Sequence, residues 1–225
     1  MPDYSLQSSN TLIFGQSGSC KSTFAINLLL NARPACRFIF DWKESEISRR
    51  LKIKPACTAR ECELAVPTRF VCLNPYPMFG SKLYDALRWF AHWAKEVSMR
   101  GPGPKIFYVD ELWKFTDSHN AAPEEVEDIV RGIARAYGLQ FLSSTQHPRD
   151  YHRNIRAEVT EWVCFNTIEP GDLEAVRPYF SGVDAAAKLP RGKFIAYNRD
   201  SSETLTGMLE PGWPPGRFLK IGAQP

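Results

Sequence analysis

Six cysteines and four histidines in 225 residues are too scattered to frame a disulfide scaffold or a zinc site. The cysteines stand at positions 20, 36, 57, 62, 72 and 164 with no C-x-x-C pair among them, so reduced and mostly buried thiols are expected. His147 and His152 flank Pro148-Arg149-Asp150-Tyr151, but nothing nearby supplies the remaining ligands of a metal, and none is expected there. Long apolar runs are also missing, which excludes a membrane span. Met1-Pro2-Asp3-Tyr4 lacks the basic-then-apolar order of a secretory signal, and a cytosolic protein is expected. Charge of one sign is lacking too: 28 basic against 25 acidic residues leave a net +3, too little to announce a polyanion partner. Basic clusters at 49–54, 147–156 and 188–193 remain, yet such runs are usually solvated faces. There is no internal repeat.

The chain is long enough to bury a full core and has the apolar and charged content of a globular protein. Apolar, β-rich segments recur at 11–14, 36–40, 69–73, 106–109, 139–143, 161–166 and 193–197. Helical patterns lie between them at 22–31, 44–51, 59–65, 81–98, 123–137 and 171–179, with an irregular basic segment near 149–157. Continuous apolar strands alternating with helices predict an α/β fold, a mostly parallel sheet with helices on both faces. Residues 1–200 are expected to form this domain, and 201–225, rich in Pro and Gly, a tail or arm. In the 81–98 helix, Leu83, Leu87, Phe90 and Ala94 form one stripe, with Tyr84, Trp89 and Trp93 displaced from it. That excess of apolar surface fits either deep burial or a subunit contact.

Gly15-Gln16-Ser17-Gly18-Ser19-Cys20-Lys21-Ser22 lies between the first apolar strand and the first helix. A strand ending in a Gly-rich turn that feeds a helix N-terminus aims backbone N–H groups and the helix dipole at one point, which suits a triphosphate. Residues 15–23, through Thr23, are the expected nucleotide-binding segment. Lys21 would reach the β- and γ-phosphates, and Ser22 would ligate magnesium. One position departs from G-x-x-x-x-G-K-[ST]: Cys20 replaces the second glycine. A cysteine enters positive φ only with strain, so a related rather than identical loop shape is expected.

Lys105-Ile106-Phe107-Tyr108-Val109-Asp110-Glu111 is an apolar strand closed by two acids, the form of a Walker B segment. Asp110 would hold magnesium, and Glu111 would polarise the attacking water, which favours hydrolysis over transfer to an acceptor. The next strand ends in Ser144-Thr145-Gln146. Gln146 is a candidate sensor of the γ-phosphate or of the attacking water.

Taken in order, these motifs resemble the FtsK/HerA superfamily of RecA-like P-loop motors, over residues 10 to about 197. The resemblance includes the Asp-x-Lys segment at Asp41-Trp42-Lys43, the run 134–139 leading into 144–148, and 154–158 leading into the strand at 162–165. Trp162 stands where some relatives carry arginine. The resemblance implies an arginine supplied in trans to the neighbouring subunit's site. Arg135, on the segment before the Gln146 strand, fits that place, with Arg131, Arg149, Arg153 and Arg156 as alternatives.

A bare motor core of this size resembles the genome-packaging ATPases of tectivirus-like, internal-membrane icosahedral phages. The resemblance implies ATP and Mg2+ as cofactors, a homo-oligomeric ring, expected as a hexamer, and double-stranded DNA driven through its centre. It also implies contact with capsid vertex or portal proteins, and localisation to the host cytoplasm and to the packaging vertex of the virion. Basic residues at 43–54 and around Arg100 and Lys105 are the first places to seek channel contacts. Other motors of the superfamily, serving phage assembly or conjugation, remain alternatives. From other classes, so do a P-loop assembly switch and a small-molecule kinase, although no arginine-bearing lid for the latter is evident.

Overall fold

The computed structural model describes residues 10–31, 36–43, 46–115, 121–132 and 136–209, together with the main chain of 219–220. In chain order the elements are β1 (Thr11–Phe14), α1 (Lys21–Asn31), β2 (Cys36–Phe40), α2 (Glu46–Leu51), α3 (Ala59–Ala65), β3 (Phe70–Leu73), α4 (Tyr76–Phe79), α5 (Leu83–Met99) and β4 (Lys105–Asp110). There follow α6 (Glu124–Val130), β5 (Leu139–Thr145), α7 (Arg153–Glu158), β6 (Glu161–Phe165), α8 (Pro170–Val176), β7 (Lys193–Asn198), β8 (Glu203–Met208) and β9 (Leu219–Lys220). The α/β class expected from alternating apolar runs is the one observed. The chain divides into two compact units, one of residues 1–32 with 143–225 and one of 33–142, and passes between them within β5.

In the 33–142 unit the strand order is β3-β2-β4, all parallel. Every residue of β2 and β4 is buried, as strands covered on both faces require. α5 supplies an aromatic layer: Phe90 lies 6.2 Å from Phe40 and 5.7 Å from Phe107, and Trp93 meets Phe38 edge-on at 5.6 Å. Trp89 stacks on Trp93 at 6.2 Å and Tyr84 reaches the surface, so most of the apolar excess of this helix lies within the unit. α6 is shorter than its periodicity suggests. Gly132 follows it at φ +85° and donates its N–H to Ile129 O, which ends the helix.

In the other unit β1 pairs with β6 in parallel, and β6-β7-β8-β9 continue antiparallel. Two of these strands, β8 and β9, fall within 201–225. Phe24 of α1 packs edge-on to Phe165 at 5.7 Å and Phe194 at 4.8 Å, fixing the helix that follows the Gly15–Cys20 loop. Trp162 is fully buried between Phe14 and Tyr179 and serves the core.

Candidate nucleotide site

The segment Gly15–Ser22 is built from the core outward. β1 is wholly buried and delivers the chain to Gly15 at φ +149°. A Cβ there would meet Phe165 Cβ at 2.8 Å and Asn166 O at 3.1 Å, so only glycine fits against β6. Gln16 N donates to Asn166 O at 2.8 Å, and Ser19 N donates to Gln16 O at 3.3 Å, turning the loop. Cys20 sits at φ +83°. The backbone keeps the left-handed step that a glycine would make there, and the strain falls on the cysteine. Phe24 N then donates to Cys20 O at 3.0 Å, opening α1 directly after the turn.

Lys21, the first residue of α1, is buried and donates from Nζ to Gln16 O at 3.0 Å, folding its ammonium back over the loop. Ser22 and Thr23 are half-buried on the same helical turn. A cavity of about 340 Å³ is lined by Gln16, Ser17, Gly18 and Ser19 on one side and by Asn166, Leu189 and Arg191 on the other. Arg191 Nε donates to Gly18 O at 3.1 Å, and Asn166 Nδ2 donates to Leu189 O at 2.6 Å. Arg191 was visible in the sequence only as part of the 188–193 basic run. The fold carries it 173 positions back to the loop.

These residues fit an anionic phosphate chain. Two cations, Lys21 and Arg191, are bonded to the same loop, whose glycines admit close backbone approach, and α1 begins there with the positive end of its dipole. Ser19 Oγ is buried and has no hydrogen-bond partner among the described residues, a polar atom beside the cavity still able to accept or donate.

In the 33–142 unit, β4 places Asp110 and Glu111 at its C-terminal end, both only 4% exposed. Glu111 has φ +54°, a conformation that costs a non-glycine residue of order 1–3 kcal/mol and concentrates at functional positions. Its carboxylate accepts from Trp113 Nε1 at 2.7 Å, and the Asp110 carbonyl accepts from Trp42 Nε1 at 2.8 Å. Lys43 forms an ion pair with Asp110. Burial pulls the Lys43 ammonium down, but the charge and hydrogen bond of Asp110, with Glu111 and Glu46 beyond, raise its pKa above the usual value.

Asp41, 1% exposed, explains how Lys43 is aimed: its carboxylate accepts from Ile47 N at 3.1 Å and Ser48 N at 2.8 Å, tying the end of β2 to the start of α2. The Asp-x-Lys segment is thus one anchoring acid and one lysine paired with Asp110. Lys114 lies over the Trp42 and Trp113 rings at 4.8 and 5.4 Å, completing an aromatic and basic surround.

Gln146 directly follows β5 and is half-buried. Arg135 lies outside the described residues. Among the alternatives to it, Arg131 pairs with Glu127, Arg149 with Glu169 at 3.0 Å, and Arg156 donates to Pro148 O and Arg149 O. The basic residues sought as channel contacts have other partners in part. Lys105 is buried, with Nζ donating to Gly101 O, Gly103 O and Tyr137 O, and burial lowers its pKa; Arg100 pairs with Glu63. His147 and His152 serve separate bonds, His147 to Asp172 at 3.0 Å and His152 from Asn154 N. Among the described residues no group of three or more His, Cys, Asp or Glu side chains is placed to hold a metal, and no helix is long and apolar enough to cross a membrane.

No protein-family model matches the chain, and no curated protein matches it. Solved structures do. The genome packaging NTPase B204 of Sulfolobus turreted icosahedral virus 2, in complex with sulfate, aligns over 88% of this chain and 95% of its own, with TM-score 0.71 and 17% identity. B204 of Sulfolobus turreted icosahedral virus, described as a DNA-packaging ATPase, aligns over 88% and 96% with TM-score 0.61 and 20% identity. The pCW3 conjugation coupling protein TcpA aligns over 88% of this chain and 59% of its own, with TM-score 0.54 and 17% identity. At such identities the likeness establishes architecture alone, and the chain has the mostly parallel α/β fold of these P-loop ATPase structures.

Proposed function

We propose that this protein is an ATPase motor that drives double-stranded DNA into a preformed viral capsid, hydrolysing magnesium-ATP at the interfaces of a homo-oligomeric ring. The observation that carries the nucleotide reading is the Gly15–Ser22 loop, which keeps a left-handed step at residue 20 although a cysteine occupies it. Backbone strain of this kind concentrates at ligand-binding positions, which supports a phosphate ligand that needs the loop in that shape. The fold likeness to B204, structures of which are described as complexes with AMP, AMPPCP and ATP-γS, supports the choice of adenine nucleotide. The packaging role rests on the same likeness and on the order of motifs.

In this reading Lys21, Arg191 and the N-terminus of α1 bind the phosphate chain; by the order of the motifs Ser22 and Asp110 would hold magnesium, which would supply positive charge against the phosphates. Glu111 accepts a proton from the attacking water, its carboxylate oriented by the Trp113 indole N–H. Gln146 orients that water. An arginine from the neighbouring subunit, Arg135 by its place in the motif order, completes the charge stabilisation and makes turnover depend on assembly.

The test is ATP hydrolysis across a protein concentration series, with and without double-stranded DNA, for wild type, Glu111→Gln and Arg135→Ala. Cooperative, DNA-stimulated turnover that both substitutions abolish, and that mixing the two variants partly restores, is expected. Nucleotide binding without turnover would replace the motor by an assembly switch. Turnover indifferent to DNA and to Arg135 would remove the packaging reading.

A further inference from the structure

The chain turns sharply just after Gln146, and one carboxylate far along the sequence holds that turn. Asp172, in the first turn of α8, is 1% exposed. Its Oδ2 lies 3.0 Å from His147 Nδ1, and its Oδ1 accepts from Arg149 N at 3.4 Å with the Arg149 side chain 3.8 Å away. Both oxygens are therefore directed at residues 147–149, the three that follow Gln146. A carboxylate acts as acceptor, so the proton on the imidazole sits at Nδ1 and the ring orientation is fixed.

Other bonds brace the same turn. His147 N donates to Thr145 Oγ1 at 3.1 Å, and Arg156 Nη1 donates to Pro148 O at 3.3 Å and Arg149 O at 3.0 Å. Ser143 Oγ and Tyr151 OH lie 2.8 Å apart beneath it. Removing so buried a carboxylate from water is unfavourable unless its hydrogen bonds are specific and retained. α8 needs no acid at this position for packing, since Leu173 and Val176 supply its apolar contacts with the core.

The geometry points to Asp172 and His147 as a positioning pair that fixes Gln146 for hydrolysis. The inference rests on the reading of Gln146 as the residue that orients the attacking water. His147 acts through its neighbour: the Asp172–imidazole bond sets the direction in which the backbone leaves β5, and hence where the Gln146 amide is presented. A displacement of that amide by about 1 Å is enough to slow hydrolysis by up to a hundredfold without weakening nucleotide binding.

The experiment compares steady-state ATP hydrolysis and equilibrium nucleotide binding in full-length Gln146→Ala, His147→Ala, His147→Asn, Asp172→Asn and the Gln146→Ala/His147→Ala double variant. His147→Ala should lower kcat about tenfold or more at unchanged nucleotide Kd. His147→Asn, whose amide N–H replaces the imidazole Nδ1–H toward Asp172, should recover most of that loss. The double variant should be no slower than Gln146→Ala alone, because His147 has nothing left to position. Asp172→Asn, matched in volume, should fall between wild type and His147→Ala. Multiplicative losses in the double variant, or His147→Asn as slow as His147→Ala, would overturn the inference. So would wild-type kcat in His147→Ala beside a slow Gln146→Ala, which leaves the reading of Gln146 standing. Wild-type kcat in Gln146→Ala would overturn both.

Discussion

Replacing Cys20 by glycine should stabilise the protein rather than damage it. The residue sits at φ +83°, where a Cβ crowds the backbone, and a non-glycine residue held there costs of order 1–3 kcal/mol. Removing the side chain releases that strain. Against it stands the added freedom of glycine in the unfolded chain, about 0.4–1 kcal/mol. Cys20 is only half-buried, so little packing is lost with its thiol. The balance is a gain of about 1 kcal/mol, a rise in Tm of about 2–4 °C for a chain of this size.

The comparison must separate the backbone from the thiol. Cys20→Ala keeps the Cβ and should show no gain, and Cys20→Val, branched at that carbon, should lose about 1 kcal/mol or more. Thermal unfolding of the three variants measures the order, and titration with a non-hydrolysable ATP analogue checks that Cys20→Gly binds at least as tightly as wild type. A gain in Cys20→Ala equal to that in Cys20→Gly would assign the effect to the thiol and refute the strain argument. A fall in Tm for Cys20→Gly would do the same more directly.

Lys43→Met should leave the Asp110 carboxylate buried without its cation and lower stability by about 1–2 kcal/mol, below the usual cost of breaking a buried pair because the Lys43 side chain is 32% exposed. Since the folded-state pKa of Lys43 is raised, the difference from wild type should be full below the ordinary lysine value of about 10.4 and should shrink as pH rises through the folded value, as read by chemical denaturation from pH 7 to 11. A difference that widens with alkaline pH would contradict the pairing. Thiol-reagent kinetics at pH 8 should resolve two accessible cysteines, Cys20 and Cys57, from four slow ones. Burial pushes Cys36 up to about 11 and Cys62 up to about 12, and Cys72 and Cys164 well above their ordinary value. Magnesium-ATP should protect one of the two fast thiols, and Cys20→Ala should remove that protected phase. Arg191→Ala should weaken nucleotide binding about tenfold while changing Tm little, the loss expected for one charge-assisted contact; unchanged affinity would confine Arg191 to the loop it braces.

The features legible in the sequence are those whose signal is local. Strands β1, β2, β4 and β6 are buried throughout and write themselves as mainly apolar runs, with Arg37 in β2 the one charge away from a strand end, so their places are readable to within a residue or two. β8 escaped because Glu203-Thr204-Leu205-Thr206-Gly207 carries no apolar period. Its place depends on β7: the Phe194 ring lies where a Cβ on Gly207 would stand, 2.2 Å from Cζ, so glycine there is a packing requirement of another strand. The apolar spacing of α6 continues past Gly132, yet that glycine, at φ +85°, is itself the stop signal.

The candidate site divides along the same line. The loop 15–23 and the acids Asp110 and Glu111 follow from spacing, because a phosphate cradle and a strand-end carboxylate are each built from consecutive residues. What the sequence hides is the set of side chains that hold them. Lys43 meets Asp110 across 67 positions, Arg191 meets Gly18 across 173, and Asp172 meets His147 across 25. Arg191 and Asp172 belong to no motif with a readable period, and Lys43, although the Asp-x-Lys segment singles it out, carries no sign of the acid it meets; a half-buried lysine, a loop arginine and a helix-start aspartate each have an ordinary explanation until the fold supplies their neighbours. Glu111 joins the two classes. Its identity was legible as the second acid of the segment, while its φ of +54° and its bond to Trp113 were not, and those two constraints turn a strand-end carboxylate into an oriented one.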